Sequence, residues 1–600
     1  MKHYFLPVAV AALCAGHAYG TDALRVNQVG YLPGDIKTAV YIGDTDPSRM
    51  TFELASPTSG IVAVDSVVNA APWAPLAHAA RIYFSSVNNP GEYVLTAKVD
   101  GKVADVVKLY IGDDAYSRLN LNELPLVYLR QQRCGYNPVH NENCHQHDGI
   151  LVLAGDLDGT HVDVTGGWHD ASDYLQYLTT SANTVYQMLF AYRENPDIWA
   201  DEYDAAGRPG KNGVADILDE ARWGLEWMVK MNPSDTLFLN QIADDRDHRY
   251  GGIPSGDNVD YGWGAGGARP VYPCIGHPAG LDKYKNESWG LASSVGKFAS
   301  SFGLGSEVFA DLDPEFAADL ARRSAVAYDL GKANPGACQT TSTVSPYYYE
   351  EDNWADDMEL AAMARYRATG DQAYLYDAVN YGRLEPVTPW MGADSAHHYQ
   401  WYPFVNLGHL ELARTQGDAG KEFVRNMRSG LRRVNDKAEE NAFLCGLPFI
   451  WCSNNLAVAL VTQAMLYREA TGDETYRELE TAARDWLFGL NPWGQTMIIM
   501  PSDCGVPSPL DPHSAMTDLT VGGRPGRDNL VGGLVDGPIY TSKFNSLWGV
   551  HLRNDDRFAP FQNDRVVYHD DYSDYSTNEP TMDGTASLTF MLGRLCSPAK

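Results

Sequence analysis

After its first twenty residues the sequence contains no apolar run long enough to span a bilayer. Positive charge is also short: 46 Lys and Arg face 77 Asp and Glu, a formal net charge of −31. A polyanion is repelled by nucleic acid and by anionic membranes, which excludes both as partners and leaves neutral or cationic material. Cysteine is scarce, with 9 in 600 residues. Glycine (55), tyrosine (35) and tryptophan (14) are plentiful. The chain is too long for one small core, so two or more domains are expected.

Residues 1–20 read as a signal peptide. Lys2 gives a short positive region, residues 5–15 are apolar, and Ala18-Tyr19-Gly20 is a small-x-small cleavage site. Export to the periplasm or beyond is expected, as a monomer. Cys14 leaves with that segment. Cysteines 134, 144, 274, 338, 445, 452, 504 and 596 remain, and in an exported chain disulfides are the first reading.

Residues 22–112 carry short alternating or apolar runs, such as Thr38-Ala39-Val40-Tyr41-Ile42 and Glu92-Tyr93-Val94-Leu95-Thr96, separated by Gly, Pro, Asn and Asp. These predict a β-sandwich. It has no clustered His, Cys or carboxylates, so its role is structural. From about residue 115 to 600 the pattern turns helical. Leu218, Ala221, Leu225 and Met228 recur at helical spacing, while residues 455–469 are more apolar and more buried. Gly370-Asp371, Gly417-Asp418 and Gly472-Asp473 each lie between helical runs. Glycine suits the residue closing one helix and aspartate the cap opening the next. The result is a weak repeat of helical hairpins, which can close into a toroid. Trp263, Trp354, Trp390, Trp401, Tyr402, Trp451 and Trp493 lie on or near the long loops between helices. Aromatic platforms suit sugar rings, whose C–H faces stack on π surfaces. The plainer alternative makes most of these tryptophans core and rim.

The chemistry concentrates in two stretches. Gly166-Gly167-Trp168-His169-Asp170-Ala171-Ser172-Asp173-Tyr174 places two carboxylates three residues apart beside a histidine and a tryptophan. Near the other end, Tyr568-His569-Asp570-Asp571-Tyr572-Ser573-Asp574-Tyr575-Ser576-Thr577-Asn578-Glu579 again interleaves acids and tyrosines. Glycosidic cleavage needs one protonated and one ionised carboxyl with pKa values held apart. Asp173 suits the base, Asp170 a water-positioning acid, and Glu579 the proton donor. Cys134, Cys144, His145 and His169 form a separate set whose thiolates and imidazoles suit tetrahedral Zn²⁺. The alternative is a Cys134–Cys144 disulfide with unrelated histidines. If the stretch around His169 is extended, the metal lies behind the loop and Asp170 faces the cleft.

Taken together, these motifs resemble glycoside hydrolase family 9, the inverting β-1,4-glucanases with an N-terminal immunoglobulin-like domain. Arg25-Val26-Asn27-Gln28-Val29-Gly30-Tyr31 is similar to the start of the family's sandwich. Gln132-Arg133-Cys134-Gly135 and Cys144-His145 resemble its zinc loop. Tyr347-Tyr348-Tyr349-Glu350-Glu351-Asp352-Asn353-Trp354 resembles an internal segment. The resemblance implies a mainly α protein, an (α/α)6 barrel behind a small all-β sandwich. It implies Asp173 as base, Asp170 beside the water, Glu579 as acid, and structural Zn²⁺ on the Cys/His set. Calcium is also common in the family, although Asp216, Asp219 and Glu220 read equally as helix-start acids. Trp168, Trp354, Tyr575 and His513 are the expected substrate contacts. One segment departs: Asp511-Pro512-His513-Ser514-Ala515 keeps the histidine but lacks the arginine usual in the endoglucanases. This keeps open an exo-acting β-glucosidase or exo-β-glucosaminidase. A non-catalytic carbohydrate-binding protein is a further alternative.

Overall fold

The strand Thr38–Gly43 is buried at every position. That pattern belongs to a sheet covered on both faces. Its side chains divide by strand alternation: Ala39 and Tyr41 enter one small core, Val40 and Ile42 a second, much larger one. A computed structural model describes residues 21–57, 60–62, 64–343, 349–396 and 406–597, so the expected signal peptide lies outside the described residues. The N-terminal unit has strands β1 (Ala23–Arg25), β2 (Thr38–Gly43), β3 (Met50–Ser56), β4 (Gly60–Val62), β5 (Ser66–Ala70), β6 (His78–Tyr83), β7 (Gly91–Val99) and β8 (Lys102–Ile111). They form two antiparallel sheets, β1-β2-β6-β5 and β4-β3-β7-β8, closed over Leu24, Tyr41, Leu54, Ile82 and Leu95.

The first sheet turns its outer face to the helices and is pinned there. Asn27 Nδ2 donates to Asp485 Oδ1 at 2.8 Å, the Gln28 amide to Phe488 O at 2.8 Å, and Arg25 Nε to Pro492 O at 2.8 Å. The Arg25–Tyr31 segment is therefore the clamp between the two units. This gives the structural role expected of the sandwich a specific form.

Among the described residues, twelve helices of seven residues or more follow. They are α1 (Leu124–Gln132), α2 (Leu178–Glu194), α3 (Asp216–Lys230), α4 (Ala292–Phe309), α5 (Pro314–Ala333), α6 (Ala355–Thr369), α7 (Gln372–Leu384), α8 (Leu407–Ala413), α9 (Asp418–Ala438), α10 (Ser453–Thr471), α11 (Arg477–Leu487) and α12 (Met582–Cys596). The even-numbered helices touch in the order α2, α4, α6, α8, α10, α12 and back to α2, so the ring closes. Each odd-numbered helix packs outside an even one. This is an (α/α)6 barrel, and sequence character follows position. Inner α10 is buried at every residue from Ser453 to Tyr467. Outer α9 buries only a stripe that includes Phe423, Met427, Leu431 and Val434.

The Gly-Asp signals divide. Gly370 (φ 70°) closes α6, and Asp371 accepts from the Ala373 amide to cap α7. Gly472 (φ 69°) closes α10, while Asp473 caps a turn ahead of α11 by accepting from Thr475 at 3.0 Å. Gly417 is the exception: it is the N-cap of α9, and Asp418 is already helical. The loops leading into α2, α6, α10 and α12 meet at the N-terminal ends of the inner helices, where the two acidic stretches come together.

Candidate active site

Gly166 and Gly167 have φ of +117° and +69°, a backbone region costly for other residues. A Cβ on Gly167 would lie 2.8 Å from the Trp227 ring. The turn delivers Trp168 into the protein. Its ring is fully buried, Nε1 donates to Glu220 Oε1 at 2.8 Å, and a Cβ at Gly224 of α3 would strike it at 2.2 Å. Trp168 is thus a pillar of the loop and presents no face to a sugar, which corrects its assignment as a substrate contact.

The next residues pair with the Cys134 segment. The Cys134 amide donates to Gly167 O and the His169 amide to Gln132 O, both at 2.9 Å. Neighbouring side chains then diverge: His169 turns toward the cysteines, Asp170 into the barrel mouth. Asp170 is buried. Oδ1 accepts from Thr180 Oγ1 at 2.5 Å and Oδ2 from the Tyr349 hydroxyl. Burial, then the charges of Asp173 and Asp583, push Asp170 well above the usual carboxylate range, against the pull of the two hydroxyls.

Asp173 Oδ2 lies 3.4 Å from His248 Nε2. Its Oδ1 is buried and takes no hydrogen bond among the described residues. Burial works against the imidazolium of His248, but contact with Asp173 and the charge of Asp247 outweigh it and raise the histidine above its ordinary value. Asp247 in turn accepts from the Tyr174 amide at 2.7 Å and from the Tyr261 hydroxyl at 3.2 Å.

Glu579 reaches the same loop from 407 residues away. Its Oε1 accepts from the Ser172 amide at 3.0 Å and from the Ser172 hydroxyl. Among the described residues nothing bonds Oε2. Burial raises the Glu579 pKa; His513 opposes this, Asp173 adds to it, and the Ser172 bonds pull it down. One short loop therefore carries Asp170 and Asp173 and also grips the second acid.

His513 is brought to this acid. Its amide donates to Asn578 O at 2.9 Å, and its ring lies 6.0 Å from Tyr575, which packs on Trp451 at 5.7 Å. Trp354, at the N-cap of α6, makes edge contacts with Trp289 and Tyr381 instead, and among the described residues nothing joins it to the carboxylates. Trp390 and Trp493 are core, while Trp401 and Tyr402, like Tyr347 and Tyr348, lie outside the described residues. The sequence reading missed three residues: Tyr349, Ser172 as the acid's partner, and His248. The signal for His248 was the run Asp244-Asp245-Arg246-Asp247-His248, at the start of a long loop.

Cys134, Cys144, His145 and His169 converge, with one donor atom of each within 4.8 Å of all the others. Both cysteines are free thiols with Sγ atoms 3.9 Å apart, so the disulfide alternative is not formed. The two imidazole nitrogens are 3.4 Å apart, and two of the four sulfur–nitrogen edges are 3.4 and 3.8 Å. A tetrahedron with ordinary zinc–sulfur and zinc–nitrogen bonds has edges of about 3.8 Å (S–S), about 3.6 Å (S–N) and about 3.4 Å (N–N). The donor set therefore fits a closed tetrahedral ion. Behind it, His145 Nε2 lies 3.1 Å from Asp257 Oδ2, the outer partner that fixes a ligating imidazole. The candidate calcium acids are otherwise engaged. Asp216 accepts from the Glu202 and Tyr203 amides and faces Arg130, Asp219 accepts from Asn212, and Glu220 holds Arg133 and Trp168.

Asp170, Asp173 and Glu579 meet on one loop of a helical toroid, and paired carboxyls are the groups that glycosidic cleavage uses. Comparison with known proteins narrows this. The model of Glycosyl hydrolase family 9 matches residues 120–592, and that of the Cellulase N-terminal ig-like domain matches residues 20–102. The chain belongs to glycoside hydrolase family 9. It is 24% identical over 541 residues to Endoglucanase D of Acetivibrio thermocellus, covering 86% of this chain and 78% of that one. A metagenome-derived family 9 endoglucanase superposes with a TM-score of 0.70 at 23% identity, covering 96% and 99% of the two chains. A Zn-binding triple mutant of the family 9 endoglucanase J30 superposes with a TM-score of 0.71 at 21% identity, covering 95% and 100%.

Proposed function

We propose that the protein is an exported, inverting hydrolase of β-1,4-linked glucans. Asp173 takes the proton of the attacking water, Asp170 helps to hold that water, and Glu579 protonates the leaving oxygen. The observation that carries this reading is the loop 170–173. Asp173 has one oxygen that takes no hydrogen bond among the described residues, while Ser172, its neighbour, fixes Glu579. The charge on Asp173 favours the protonated form of Glu579, which is the division of labour that acid and base require. Asp170 has both oxygens anchored by hydroxyls, and a carboxylate oxygen holding one hydrogen bond can still accept another.

Zn²⁺ on Cys134, Cys144, His145 and His169 fills all four positions with protein, so its contribution is structural. Held there, it would tie the Cys134 segment to the Gly167–His169 stretch that leads into Asp170 and Asp173. Cellulose and cello-oligosaccharides are the substrate class favoured by the relatives. The changed His513 segment favours action at chain ends as the second reading.

Cellohexaose and a chitosan hexamer, followed by early product profile, distinguish these. Internal fragments from cellohexaose support the endoglucanase reading. Monomer or dimer released from one end alone supports the exo reading, and preference for the chitosan oligomer assigns the glucosaminidase. Cleavage of neither, with tight binding retained, would leave a carbohydrate-binding protein.

A further inference from the structure

Trp548 stands out among the exposed large apolar side chains. It is 93% exposed, against 54% for Trp289 and 43% for Trp263. An indole is a large flat apolar surface, and at this exposure nearly all of it is open to a partner.

The loop that carries it is not loose. The Arg553 and Asn554 amides donate to the two oxygens of Asp571 at 3.0 and 2.9 Å, and Asn554 Nδ2 donates to Asp511 at 3.1 Å. The Arg553 guanidinium lies 3.8 Å above the Tyr572 ring. Closest to Trp548 itself, the Tyr575 hydroxyl donates to its carbonyl at 3.1 Å. These anchors lie on the two segments that hold the acid side of the site, one bearing His513 and the other leading to Glu579. Trp548 is therefore presented by a pinned loop whose backbone meets Tyr575, and the Tyr575 ring neighbours both His513 and Trp451.

An acid that protonates a glycosidic oxygen stands on the side of the leaving sugar, while the base and its water work from the opposite face of the ring. Tyr575 stands four residues before Glu579, and the His513 amide is bonded to Asn578, so the loop that Tyr575 holds lies on the acid's side of the mouth. We infer that Trp548 is a stacking platform for a leaving-group sugar of a β-linked oligosaccharide, and so a specificity-determining residue on the aglycone side. This rests on the hydrolase reading above.

The test compares Trp548→Ala and Trp548→Phe with the wild-type enzyme on two substrates. Cellotetraose places sugars on the leaving side, whereas β-cellobiosyl fluoride has only fluoride there. The ratio of kcat/KM for cellotetraose to that for the fluoride should fall about tenfold in Trp548→Ala, the scale of one aromatic contact, and largely recover in Trp548→Phe. An unchanged ratio in Trp548→Ala, or a ratio no better in Trp548→Phe, overturns the assignment while leaving the hydrolase reading intact. A wild-type protein that cleaves neither substrate overturns both.

Discussion

Glu579→Gln lowers kcat for cello-oligosaccharides by about a thousandfold, within the range a positioned general acid contributes. The amide is isosteric and still accepts from Ser172, so the loop stays in place. What is lost is the proton for a poor leaving group. A substrate that needs no such proton, such as the glycosyl fluoride, should lose far less, and this split separates an acid from a structural residue. The pH profile carries the same signature. Activity requires the protonated form, so it is lost as pH rises through the Glu579 pKa. Burial raises that pKa, and the charge of Asp173 adds to it against His513. The alkaline limb should therefore lie above the ordinary glutamate range, and it should vanish for the fluoride in Glu579→Gln. Steady-state kinetics on both substrates across pH check this. Equal losses on both, or an unchanged alkaline limb, would remove Glu579 from the acid's role.

Cys134→Ser should be the most damaging change to stability. It would remove one of the four donors of the candidate metal set, on the segment whose backbone pairs with Gly167, two residues before His169. Loss of a structural metal belongs to the rare class of changes costing more than about 4 kcal/mol. Purified wild-type protein should hold one zinc per chain by elemental analysis. The variant should hold none, unfold at lower temperature, and lose activity in step with folding. A wild-type protein without stoichiometric zinc, or a variant that keeps its melting temperature, would contradict the metal reading.

The sequence made some parts of the molecule readable and hid others, for physical reasons. The Cys/His set could be seen because its members lie in three short segments and their chemistry is carried by residue type alone. The helical pairs could be seen because buried α10 and one-sided α9 differ in pattern. Trp168 was misread because its slot is made by Gly224 on another helix, and nothing beside Trp168 in the chain records that. Tyr349 stood in a run of three tyrosines, so its hydroxyl contact with Asp170 could not be singled out. The Ser172–Glu579 bonds span 407 positions and exist only once the barrel closes. Likewise, the loop bearing Trp548 has no periodic pattern, and only its contacts with Asp571, Asp511 and Tyr575 place it beside the acid.

The central claim is that Asp173 activates a water while Glu579 protonates the opposite side of the bond. Proton NMR of the first products from a β-1,4-linked oligosaccharide tests it most directly, before mutarotation mixes the anomers. A single displacement by water gives the α-anomer at the newly formed reducing end. First appearance of the β-anomer would mean two displacements through a covalent intermediate, and would contradict the roles given to Asp173 and Glu579.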